Sequence, residues 1–170
     1  MDHFRRQLVL SAPAADVYQA LATQQGLQGW WTQSCEADGH AGGRATFRFG
    51  QTRKVMRIDR LEPGREVRWH CIESHIAIAG VPPDEWRDTQ IVFRLTPRGA
   101  AQTVLDFEHI GLTPALACWG ACNKGWDHFL GSLRSLVESG EGAPYLPSVS
   151  ASCGGAATAA AASGASAALA

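Results

Sequence analysis

Residues 113–140, TPALACWGACNKGWDHFLGSLRSLVESG, dictate what the rest of the chain must supply. Thr113 reads as an N-cap, and Pro114 suits the first helical position, where a missing N–H costs nothing. Trp119, Cys122, Trp126, Phe129, Leu130, Leu133, Leu136 and Val137 then recur at steps of three and four. That spacing predicts one apolar stripe on a long helix, with Asn123, Lys124, Asp127, Arg134 and Glu138 largely opposite. Gly140 suits the left-handed C′ position. Such a stripe needs a broad apolar partner, and most of it reads as core.

The preceding residues read as that partner. Phe4, Leu8 and Leu10 alternate with Arg5, Gln7 and Val9, which predicts a strand. Ser11-Ala12-Pro13 ends it and opens a helix with Val17, Tyr18 and Leu21 inward; a second short helix follows over about Thr23–Gly29. In Trp30-Trp31, one ring is expected in the core and the other at a rim, since neighbours do not share a face. From Ser34 to Ile110 the period falls to two. Strands are predicted at Arg44–Phe49, Lys54–Leu61, Glu66–Ser74, Trp86–Thr96 and Gln102–Ile110, punctuated by Gly50-Gln51, Glu62–Arg65 and Pro97–Gly99. Short strands on short turns form an antiparallel meander with one apolar face. Between His75 and Asp84 a loop carries Pro82-Pro83.

Composition excludes several function classes. The net charge is −1, with 15 basic and 16 acidic residues and no basic stripe, so nucleic acid is not expected as a partner. No apolar run has the length of a membrane span and MDHFRRQL is not a signal peptide, so no membrane insertion and a cytoplasmic location are expected. The odd cysteine count of five predicts free thiols. Residues 1–147 are read as one domain and 148–170 as a flexible tail of almost only Ala, Ser and Gly.

Several pieces occur in a telling order. They are Ser11-Ala12-Pro13 before the helix of Val17 and Leu21, Trp30-Trp31, Gly42-Gly43 before a Phe-rich strand, and Leu61–Arg65 leading to Val67 and Trp69. Then come Thr103-x-Leu105-x-Phe107-x-His109-x-Gly111 and Gly125-Trp126-x-x-Phe129-Leu130-x-x-Leu133. Over about residues 4–140 the chain resembles the START-like (SRPBCC) helix-grip superfamily, and most of all bacterial homologues of the activator of heat-shock-protein-90 ATPase. The resemblance implies an α+β helix-grip fold: a curved antiparallel sheet around a long C-terminal helix, with two short helices after the first strand. It implies an apolar cavity for a small hydrophobic molecule. The Pro82-Pro83 loop lies outside the family pattern and makes the mouth particular to this chain.

Periodicity puts Phe47, Phe49, Met56, Trp69, Phe93, Leu105, Phe107 and His109 of the sheet against Trp119, Cys122, Trp126 and Phe129 of the helix. A pocket is expected near Trp69, His109, Trp119 and Cys122, where a polar and a small side chain fill space poorly. His109, at the end of the last strand, faces either a ligand carbonyl or a local partner, and the local use is the commoner. Cys118-x-x-x-Cys122 is half a metal site only if His109 or His128 completes it; zinc pairs are usually closer, so no metal or cofactor is expected. His70 and Glu73 are expected on opposite faces and unpaired. With no acid–base pair in view, binding leads and enzyme activity is not favoured. Two alternatives stay open: a polyketide cyclase or hydrolase using the same cavity, and a chaperone-interacting protein. A monomer and a homodimer are both compatible with the sequence.

Overall fold

The computed structural model describes residues 3–147; the tail reading at 148–170 lies outside the described residues. The elements are β1 (Phe4–Leu10), α1 (Ala14–Ala22), α2 (Gln24–Trp30), β2 (Cys35–Ala37), β3 (Arg44–Phe49), β4 (Thr52–Glu62), β5 (Glu66–His75), β6 (Gln90–Pro97), β7 (Thr103–Ile110) and α3 (Trp119–Ser139). Seven strands form one antiparallel sheet in the order β1-β7-β6-β5-β4-β3-β2. The fold is α+β, and the sheet's apolar face grips α3, as the periodicities require.

Register shifts in the β4–β5 pair between Val55 and Met56 and between Ile58 and Arg60 bend the sheet at its centre. Gly50 closes the β3–β4 turn at φ 62°, a left-handed conformation suited to glycine. Thr23 caps α2 by accepting from the Gly26 N–H at 3.0 Å. At the β1 edge, Arg6 reaches across to Asp127 and Asn123 of α3 at 2.9 and 3.0 Å.

Three expectations are corrected. The long helix begins at Trp119, with turns over residues 113–118 in place of a Thr113 cap. The cap comes from elsewhere: the Glu85 carboxylate accepts from the Ala117 and Cys118 N–H groups, each at 2.8 Å. β6 starts at Gln90 and not Trp86, because Asp88 adopts φ 67° and Arg87 and Thr89 close turns onto Asp84 and Trp86. Both Trp30 and Trp31 are fully buried, because α2 ends between them: Trp31 is the C-cap, and its ring stacks on that of Trp30 at 5.7 Å. The short β2 strand adds a pairing that alternation had not marked.

Candidate functional site

The interior between sheet and α3 is a continuous aromatic assembly. Trp31 is its hub, stacked on Trp69 at 5.7 Å and on Trp126 at 5.3 Å, with Phe47 at 4.2 Å. Trp69 meets Phe93 at 5.1 Å, and Phe107 meets Trp126 at 4.5 Å. The Trp31 Nε1–H is buried without a hydrogen-bond partner. A buried unpaired donor of this kind costs about 1–3 kcal/mol, so it is the exception among these rings.

One end of the interior is polar, and the loop of residues 76–89 covers it. Lys54 is 1% exposed, with its ammonium 3.2 Å from the centre of the Trp86 ring and 5.3 Å from that of Phe49. Burial lowers it to about 8, an effect partly offset by the nearby Cys122, Cys71 and Cys118. Beside it runs a hydrogen-bonded chain. The Trp126 Nε1–H donates to His109 Nδ1 at 3.0 Å, which leaves the proton on Nε2 to donate to Thr89 Oγ1 at 2.9 Å. Thr89 Oγ1 in turn donates to the Trp86 carbonyl at 2.6 Å. Burial, then the charges of Lys54 and His3, hold this imidazole well below the usual histidine range, and so neutral. The Trp86 Nε1–H donates to Cys122 Sγ at 3.2 Å, and the Cys122 backbone N–H donates to the Cys118 carbonyl at 2.8 Å.

The expected residues are distributed as follows. Phe47, Met56, Trp69, Phe93, Phe107, Trp126 and Cys122 are all buried within the one core, with Phe49, Leu105 and Phe129. Trp69 belongs to the Trp31 end, while Cys122 and His109 belong to the Trp86 end. Trp119 is half-buried at the β1 edge, edge-on to Phe4 at 6.2 Å. Both ring nitrogens of His109 are engaged by protein. His70 pairs with Asp88 at 3.5 Å and Glu73 with Arg53 at 3.0 Å, not with each other. His128 reaches the Ala143 carbonyl. Among the described residues no group of three or more His, Cys, Asp and Glu is placed to hold a metal ion. Cys35, Cys71, Cys118 and Cys122 are free thiols, and Cys153 lies outside the described residues. A groove of about 470 Å³ between α1, α2 and α3, lined in part by Gln19, Thr23, Leu136 and Val137, shares no residue with the expected set.

Sequence reasoning missed Lys54, Trp86 and Trp31. Lys54 was accessible, since it alternates in phase with Met56 and Ile58, and its pairing with Phe47 confirms the inward face. Trp86 gave no periodic signal, because it precedes its strand.

The family model for activator of Hsp90 ATPase homolog 1-like proteins matches residues 11–138. The chain belongs to this family. No curated protein matches it significantly. Among solved structures, the Aha1 dimer from Colwellia psychrerythraea is 29% identical, with a TM-score of 0.69 over 84% of this chain and 100% of that one. CV1439 from Chromobacterium violaceum is similar at 23% identity and a TM-score of 0.61, over 81% of this family member and 99% of its own chain. CalU16 from Micromonospora echinospora follows at 20% identity and a TM-score of 0.60, over 97% and 84%. The last two show the shared fold. Among the described residues no helix is long and apolar enough to cross a membrane.

Proposed function

We propose that this family member binds a small hydrophobic molecule carrying a hydrogen-bond acceptor, between the sheet and α3, without a strong catalytic centre. The observation that carries the reading is the buried, unpartnered Trp31 Nε1–H amid aromatic rings. An apolar interior with a few convergent polar groups is the usual composition of a ligand site. The residues proposed to line it are Phe47, Met56, Trp69, Phe93, Phe107 and Trp126, which share one core with Trp31, while Cys122 lies at the Trp86 end and Trp119 at the β1 edge. The ligand's acceptor pairs with Trp31 and not with His109, whose nitrogens are both taken. The same engagement of His109 disfavours the cyclase or hydrolase alternative.

The test uses two fluorescent probes, Nile red, which has a carbonyl acceptor, and pyrene, which has none. Wild type binds both, and Trp31→Phe weakens Nile red about tenfold, the worth of one buried hydrogen bond, while leaving pyrene at least as tight. Failure of wild type to bind either probe overturns the reading. A protein partner then leads, a role supported by the family's description and tested by stimulation of a bacterial Hsp90 ATPase. The Colwellia relative was solved as a dimer, which makes a homodimer the association to test first by light scattering.

A further inference from the structure

Cys118 and Cys122 sit one helical turn apart at the start of α3, and the Cys122 N–H bonds the Cys118 carbonyl at 2.8 Å. That turn holds the two Cα atoms about 6 Å apart along the axis, inside the range a disulfide spans. The Cβ atoms of such a pair stand slightly wide of disulfide geometry, so closure needs the first turn to yield. Cys118 precedes the helix proper, and its own N–H is held by Glu85 and not by the helical ladder. The turn therefore adjusts by releasing Glu85 and the single bond from the Cys122 N–H to the Cys118 carbonyl.

The two sulfurs are not equivalent. Cys122 Sγ accepts from the Trp86 Nε1–H at 3.2 Å, and the Lys54 ammonium lies 3.2 Å from the centre of that same Trp86 ring. Cys118 instead lies beside the Glu85 carboxylate, which accepts from its backbone N–H at 2.8 Å. We propose that Cys118 and Cys122 form an oxidation site, at which a hydroperoxide converts the pair to a disulfide with Cys122 as attacking and Cys118 as resolving sulfur. The Cys122 thiolate attacks the peroxide, the O–O bond breaks, and the departing oxygen leaves as water or alcohol after taking a proton. The sulfenic acid on Cys122 then condenses with the Cys118 thiol, forming the S–S bond and releasing water. Two thiols lose two electrons in all, and one hydroperoxide is reduced.

The electrostatics agree. The neighbouring Cys118, then Lys54 and Trp86, hold the Cys122 thiol below its ordinary value against the effect of burial, while Cys122, burial and Glu85 push Cys118 up. Burial instead pushes Cys35 and Cys71 up to about 12, which makes them poor nucleophiles. The thiols are buried, so oxidant access runs through the start of α3, where Ala117 and Gly120 are exposed, and through release of the 76–89 loop.

The test is peptide mapping after hydrogen peroxide treatment of the native, full-length chain. Trypsin places Cys118 and Cys122 together on residues 99–124, and puts Cys35, Cys71 and Cys153 on separate peptides. The 99–124 peptide is expected to lose two hydrogens and resist alkylation until reduced, while Cys35 and Cys71 stay alkylatable. Lys54→Met slows this conversion roughly fivefold or more and Glu85→Ala speeds it several-fold, through thiolate character and access. Cys118→Ser traps the Cys122 sulfenic acid as a dimedone adduct. A 99–124 peptide that stays reduced, or oxidation of Cys71 before the pair, overturns the proposal. So does dimedone labelling of Cys118 in Cys122→Ser with none of Cys122 in Cys118→Ser.

Discussion

The two ends of α3 are buried by different means. Toward its C-terminus, Phe129, Leu130 and Leu133 join the core, and the few buried polar groups bond mainly to backbone carbonyls and N–H groups. Ser132 Oγ donates to the Trp30 carbonyl at 2.8 Å and accepts from the Ala143 N–H at 2.7 Å, while the Trp30 indole donates to the Ala20 carbonyl at 2.8 Å. Toward the N-terminus, Cys118, Cys122 and Trp126 meet Lys54, Trp86, Thr89 and His109, drawn from β4, β7 and the 76–89 loop. The apolar end asks only for volume, which many residues supply. The polar end asks for particular donors and acceptors, since each buried group left unpaired costs the full desolvation penalty. Stability lives at both ends, and chemical individuality at the second.

The sharpest way to break this contrast is Trp126→Ala, which removes a core ring and strands the His109 Nδ1 acceptor in one step. A loss of about 3–5 kcal/mol is expected in urea unfolding; a loss below about 1 kcal/mol would mean the ends do not share one core.

Next in size is the pH dependence of Lys54→Met. Burial lowers Lys54 from 10.5 to about 8, so below pH 8 the folded chain bears the cost of a buried ammonium that the unfolded chain does not. Between about pH 8 and 10.5 the folded state sheds that proton first, and the cost disappears. Wild type therefore gains on Lys54→Met by an amount on the order of 3 kcal/mol across that window, whatever the difference at pH 7. A gap that stays flat with pH would remove the charged character assigned to this end.

The smallest effect belongs to the apolar end. Ser132→Ala leaves the Trp30 carbonyl and Ala143 N–H without their partner, for about 1–2 kcal/mol by thermal unfolding, with no dependence on pH from 6 to 10. A pH-dependent loss there would show that the two ends are electrostatically connected.

Period and punctuation made much of the fold legible. The alternation of Thr103, Leu105, Phe107 and His109 set the face of β7, and all four are buried. The stripe from Cys122 to Leu133 likewise set the face of α3. These signals are local, because a strand or helix turns its side chains by a fixed angle per residue. The sequence by itself thus determined the order of the longer elements, most of their buried faces and the family to which the chain belongs, while β2, the burial of Trp31 and that of Lys54 escaped it.

Tertiary structure alone decided which buried groups meet. Glu85 caps a helix 32 residues later, and Lys54 lies under Trp86. His109 finds Trp126 and Thr89, Cys122 gains an indole donor, and Trp31 is left with none. Hydrogen bonds and ion contacts depend on separations of about 3 Å between residues distant in the chain. Periodicity fixes directions but not those distances.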